Sequence, residues 1–348
     1  MPQAAPLRRG SLALDQWRGL ALVLVLISHG FHETGRVDGV GRVGVNLFFF
    51  ISGILVFRSL AGSSGGGWRQ QAASFWHRRF RRLYPALLGY VLVAVLASWG
   101  LPKLGTSRFG FGLANFPRTV PASVFYYTNY LPGPAMILGH LWSLACEMQF
   151  YLLAPLIWLA GGNGTNRRNL VFGGLTLALV GLGAAEPFML KHPFSGAKYH
   201  FEFAVWPMML GFFCEEKKAW VNRVPARLAS LLGWITLTIG SLGLLPMLFG
   251  YPSKVLVVTS GALLLLPCFL AYAGARPMEF LPGRILSWLG MRTYSIYLWQ
   301  QPFTICFFLP AVWWPVGALA AVGVGAAWFH WLEAPFLSRS RPIPGGHK

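Results

Sequence analysis

The first apolar run of the chain carries three polar groups at a spacing that could do chemistry. It reads Leu-Asp-Gln-Trp-Arg-Gly-Leu from Leu14 to Leu20, then seven apolar residues from Ala21 to Ile27, then Ser28-His29-Gly30. On a helix the eleven steps from Arg18 to His29 return to nearly the same azimuth, and Asp15 lies within about 40° of it. One stripe therefore holds a carboxylate, a guanidinium and an imidazole, with Arg18 and His29 about 16 Å apart along the axis. Ionisable groups at membrane depth are costly unless they face partners or a wet cavity, so each is a functional candidate. Plainer readings stand beside this one. Asp15 and Arg18 can pair at the interface, and a single His near a helix end can be purely structural.

Three more blocks have comparable potential. Gly44 to Gly53 reads Gly-Val-Asn-Leu-Phe-Phe-Phe-Ile-Ser-Gly, where Ser52 and Gly53 permit close helix approach and the aromatics pack. Phe75 to Pro85 contains Arg78, Arg79, Arg81 and Arg82, immediately before an apolar run. Such a cluster can anchor the chain to anionic headgroups. Four arginines in five positions nevertheless exceed what orientation requires, and forked guanidinium groups suit the phosphates of a nucleotide-bearing donor. The segment from His140 to Tyr151 places Glu147 four residues after Ser143, on the same helical face, and a buried carboxylate needs a partner or a proton.

The elements that must position these groups are membrane helices. The 348 residues are 55% hydrophobic and only 11% charged, with a mean hydropathy of +0.53, a composition far from that of a soluble domain. Apolar runs lie near 12–32, 43–60, 83–100, 141–160, 170–187, 200–214, 228–250, 254–273, 293–310 and 313–332, so the reading is an all-α polytopic membrane protein of about ten transmembrane helices. With the N-terminus in the cytoplasm, the inner connections hold 20 Lys and Arg and the outer ones 8, which favours cytoplasmic termini. The net charge of +19 then reflects membrane topology rather than a nucleic-acid partner. Residues 1–348 are read as a single transmembrane domain, with 333–348 as a short cytoplasmic tail. The first run reads as a retained span rather than a cleaved signal. Cys146, Cys214, Cys268 and Cys306 have no metal-like or disulfide spacing and read as packing residues. The connection 101–140 reads either as an ordered, partly re-entrant lid or as a plain exterior loop, and Ala61 to Gly67 as an inner hinge.

Together the blocks resemble the acyltransferase 3 family of membrane O-acyltransferases over nearly the whole chain. The resemblance is carried by Arg18 and His29, Gly44 to Gly53, Arg78 to Pro85 and Trp142 to Tyr151. Tyr294-Ser295-Ile296-Tyr297-Leu298-Trp299 and Glu333-Ala334-Pro335-Phe336 extend it to the tail. The sequence departs from the family where Asn46 stands for an acidic residue, Met148 for a second Glu and Gln300 for a His. The extracytoplasmic hydrolase-like domain fused to some members has no counterpart, so a stand-alone transferase is expected.

The resemblance implies transfer of an acyl group, acetyl by default, from acyl-CoA to a hydroxyl of a glycan, glycolipid or secondary metabolite, at the inner (cytoplasmic) membrane and without a metal. It implies His29 as the base, and Glu147 is the first choice, with Asp15 the second, for the carboxylate that orients it. Arg18, Arg78, Arg79, Arg81, Arg82 and Ser52 are expected on the donor, and Asn46, Trp142, Ser143 and Tyr151 on the acceptor. Membrane lipids are the remaining partners. The rival readings are a transporter or flippase of a polar lipid or sugar, and a non-catalytic membrane partner with the same fold.

Overall fold

A computed structural model describes residues 6–30, 38–62, 67–100, 113–189, 199–248, 254–304 and 313–338. No strand occurs among them, as expected where lipid offers no partners for backbone groups. The longer helices are α1 (Pro6–Gly30), α2 (Asp38–Ala61), α3 (Trp68–Gly100), α4 (Phe116–Val124), α5 (Trp142–Gly161) and α6 (Gly174–Met189). They continue with α7 (Trp206–Glu216), α8 (Ala226–Leu242), α9 (Lys254–Ala273), α10 (Leu281–Met291), α11 (Thr293–Thr304) and α12 (Trp314–Trp328).

Seven helical stretches are long and apolar enough to cross a membrane: 9–30, 39–61, 68–100, 137–161, 165–186, 255–273 and 314–337. They coincide with seven of the ten expected runs. Of the other three, 228–250 contains the 17-residue α8, and 200–214 is divided between Phe201–Ala204 and α7. The run 293–310 opens with α11 and continues outside the described residues. The hinge expected at Ala61 to Gly67 also falls largely outside them. Residues 113–140 of the outer connection form α4, short helical turns and Met136–Gly139.

The apolar stretches of the long helices have no polar face, so burial divides their sides where polarity does not. On α3, Leu83, Ala86, Leu87, Tyr90, Val91 and Ala94 are buried, whereas Leu88, Leu92 and Leu96, at four-residue spacing, are exposed on the lipid side. At the centre α1 packs on α2, α9, α10 and α11, and α2 packs on α5 and α7. Glycines allow this closeness. A Cβ at Gly53 would overlap the Met208 carbonyl of α7, and one at Gly211 would overlap the Phe50 carbonyl of α2, so the two backbones meet reciprocally. Among the described cysteines, Cys146 and Cys268 are buried and Cys214 half-buried, all three as free thiols.

Candidate active site

Where central helices meet α3, residues from six helices line a partly open cavity. One stripe of α2 supplies Val45, Phe48, Phe49 and Ser52, and one of α5 supplies Ser143, Leu144, Glu147 and Tyr151. Arg79, Arg82 and Leu83 enter from α3, Arg18 from α1, Gly290 from α10, and Tyr294 and Tyr297 from α11. Successive spans run in opposite directions, so Arg18, Arg79, Arg82 and Tyr151 share one end, the inner one under the expected topology, and Ser143 and Tyr297 the other, outer one.

The inner end is cationic and braced from behind. Arg18 pairs with Asp15 at 3.5 Å. Arg82 donates to the fully buried Glu333 at 3.3 Å, whose other oxygen accepts from Ser295 at 2.8 Å. Glu333 belongs to a π-helical turn, Phe329–Glu333, that continues α12. Arg79 donates to the Leu55 carbonyl at 3.4 Å and lies 4.8 Å from the centre of the Tyr151 ring, in no ion pair among the described residues. The four-arginine run is thus divided by helical azimuth. Arg79 and Arg82 line the cavity, and Arg78 and Arg81 do not.

Glu147 sits midway, accepting hydrogen bonds from Ser52 and from Tyr151. These partners satisfy a half-buried carboxylate, and they differ from the His29 partner expected from the sequence. The outer end is closed by a hydrogen bond of 2.7 Å between Ser143 and Tyr297, both of which also bond the His140 carbonyl, at 3.3 and 3.1 Å. Phe48 meets the Tyr297 ring edge-on at 6.2 Å.

His29 stands beyond this closure rather than in the cavity lining, and its Nδ1 meets Gln300 Oε1. Asp15, fourteen residues earlier on the same continuous helix, is about 21 Å from it along the axis. The second-choice carboxylate therefore cannot orient the ring. His140, within electrostatic reach of His29, is buried between the Tyr90 and Tyr297 rings. The Leu298 backbone and Gln301 flank its ring without completing a hydrogen bond to either nitrogen.

The expected acceptor residues separate. Ser143 and Tyr151 line the cavity, Asn46 is buried against Gly261 of α9, and Trp142 lies outside the lining. There Trp142 packs on Phe49 and Tyr199, with the Arg42 guanidinium 5.4 Å from its ring. Arg42 pairs with Glu186 at 3.9 Å, and Tyr130 donates to Glu202 at 3.0 Å. Burial and the Glu202 carboxylate push the Tyr130 hydroxyl up to about 12, so it remains a donor near neutrality. Among the described residues no group of three His, Cys, Asp or Glu could hold a metal. Sequence reasoning gave no role to Tyr297, Glu333 or Gln300, although the first two lie in blocks that carry the resemblance.

Comparison with known proteins gives a consistent result. The profile of a family described as an acyltransferase domain matches residues 11–333. YrhL of Bacillus subtilis is 27% identical over 322 residues, which cover 83% of this chain and 48% of that protein. The peptidoglycan O-acetyltransferase OatA of Listeria monocytogenes is 27% identical, with 83% of this chain and 49% of that protein covered. The O-acetyltransferase OatA of Staphylococcus aureus is 26% identical, with 84% and 50% covered. The chain thus spans about half the length of the curated relatives it matches. No solved structure matches it.

Proposed function

The chain belongs to the acyltransferase 3 family, and from that premise we propose that it is an O-acyltransferase of the cytoplasmic membrane, moving an acyl group, acetyl by default, from acyl-CoA to a hydroxyl of a glycan. The observation that carries this reading is the cavity itself. It joins three inner guanidinium groups to a Ser143–Tyr297 closure, with His29 standing beyond. Guanidinium groups suit phosphate oxygens, and Arg79 makes no ion pair among the described residues. The aromatic stripe of α2 suits the slim pantetheine arm of such a donor, and opening of the closure brings the thioester to the imidazole. The glycan acceptor is supported by the names of the OatA relatives.

In the proposed reaction the acceptor hydroxyl gives its proton to a ring nitrogen of His29 as its oxygen attacks the thioester carbonyl. The tetrahedral intermediate then expels the thiolate, the C–S bond breaks, and the imidazolium returns the proton to sulfur. The products are an ester, free CoA thiol and neutral His29. Purified protein with acetyl-CoA and an oligosaccharide acceptor is expected to release thiol. His29→Ala should lower kcat by about 10²-fold or more while the apparent Tm stays put. Undiminished thiol release by that variant would remove His29 from the chemistry. A transporter would release no thiol at all.

A further inference from the structure

At the cavity end opposite the arginines, aromatic side chains from three separate segments meet. Trp142 opens α5, one residue before Ser143 of the closure, and the Tyr199 ring lies against it at 4.4 Å, tilted by 35°. Tyr199 is also within electrostatic reach of Tyr297, the other half of the closure. The next residue, His200, lies 4.6 Å from the Tyr130 ring. Glu202 accepts from the Tyr130 hydroxyl at 3.0 Å with one oxygen and stands 3.4 Å from His200 Nδ1 with the other. Two aromatic pairs and a carboxylate thus run from the closure to an open edge, where Tyr130 is 45% exposed and the Glu202 side chain 43%.

The arrangement is built in advance, because α5 holds both halves. Tyr130 ends a short helical turn, Thr128–Tyr130. Asn129 Nδ2 of that turn donates to Gln149 Oε1 at 3.1 Å, and Gln149 Nε2 donates to Asn129 Oδ1 and to the Tyr126 carbonyl, both at 2.9 Å. The other half is tied by the Cys146 thiol, which donates to the Tyr199 carbonyl at 3.3 Å. Tyrosine and tryptophan also gather at membrane interfaces as anchors, and Trp220, 66% exposed in the turn after α7, has that character. An anchor needs only headgroups around it. Tyr130 instead has its ring set against an imidazole and its hydroxyl fixed by a carboxylate.

A pyranose ring presents slightly positive axial C–H bonds on its face and hydroxyls around its rim. The first rest on the electron-rich face of an aromatic ring, and the second donate to carboxylate oxygens. We propose that Tyr130, His200 and Glu202, with the Trp142–Tyr199 pair, form an acceptor subsite that takes a neutral pyranose of the glycan and directs a neighbouring hydroxyl to the closure. The inference rests on the reading of a glycan O-acyltransferase and deepens it by giving the acceptor a place. Glu202 sets the chemical class, since its charge beside the Tyr130 ring opposes a sugar that carries a carboxylate of its own.

The test titrates the full chain in nanodiscs with chitotetraose, maltotetraose and tetragalacturonate, and saturation-transfer NMR reads contact between the sugar ring protons and the protein. At least one neutral tetrasaccharide should bind, and tetragalacturonate should bind about tenfold more weakly. Tyr130→Ala is expected to weaken the neutral sugar by about tenfold, whereas Tyr130→Phe, which keeps the ring, should cost about threefold at most. Glu202→Gln should bring the acidic sugar close to the neutral one, and this change of preference carries the test should Tyr130→Ala lower the apparent Tm. Trp220→Ala should alter none of these values. Failure of both neutral sugars to bind, or binding and preference untouched in Tyr130→Ala and Glu202→Gln, overturns the inference; thiol release from acetyl-CoA with an oligosaccharide would then leave the transferase reading standing. Tyr130-dependent binding without any thiol release would keep the subsite and remove the reaction instead.

Discussion

At the scale of single residues, the arginine run separates into groups with different fates on mutation. Arg79 has a carbonyl and an aromatic face for company, so Arg79→Ala should raise the donor KM by about tenfold, the loss of one charge-assisted contact of about 1.5 kcal/mol, with little change in stability. Arg82 is different because it neutralises Glu333, a carboxylate with 0% exposure. Removing one partner of a buried pair costs about 3–5 kcal/mol. Arg82→Ala is therefore expected to lower the apparent Tm sharply, and Glu333→Gln added to it should restore much of the loss. Thermal unfolding in detergent, run beside donor saturation curves, separates the two effects. Equal Tm values for the two arginine variants would show that Glu333 does not depend on Arg82. Arg78 and Arg81, outside the cavity lining, should leave the donor KM unchanged when replaced by Gln.

At the scale of elements, the site depends on how closely α2 approaches its neighbours. Gly53 follows Ser52, which lines the cavity and bonds Glu147. Gly53→Ala would drive a Cβ into the Met208 carbonyl of α7, and the backbones would have to part. Overpacking of this kind costs about 1–3 kcal/mol, and here it would also shift the Ser52 wall. A lower apparent Tm and a raised donor KM should appear together. Gly181→Ala on α6, where a Cβ would meet nothing within 4 Å, is the control and should change neither. An unaltered Gly53→Ala variant would mean that α2 and α7 are not in contact through their backbones. The π-helical turn that ends in Glu333 belongs to the same scale. It aligns a carboxylate near the chain's end with an arginine 251 residues earlier.

At the scale of the whole molecule, the proposed reaction has a direction across the bilayer that can be tested. The cationic end lies where the basic connections were assigned to the cytoplasm, and the His29 end lies opposite. In sealed proteoliposomes with the cationic face outward, acetyl-CoA added outside should acetylate an oligosaccharide trapped in the lumen. Labelled lumenal product is the readout, and product confined to oligosaccharide added outside would overturn the assigned sidedness. The sequence by itself determined the all-helical membrane class, seven of the crossing segments, and the stripe that carries Arg18 and His29. Hydropathy and helical periodicity are local properties, written in neighbouring residues and imposed by a solvent that cannot satisfy exposed backbone. Only the tertiary structure decided which arginines turn inward, that Glu147 belongs to Ser52 and Tyr151, and that Gln300 meets His29 from 271 residues away. Those choices depend on the rotation and separation of packed helices, which are fixed by small residues and side-chain fit across the bundle. No single segment contains that information.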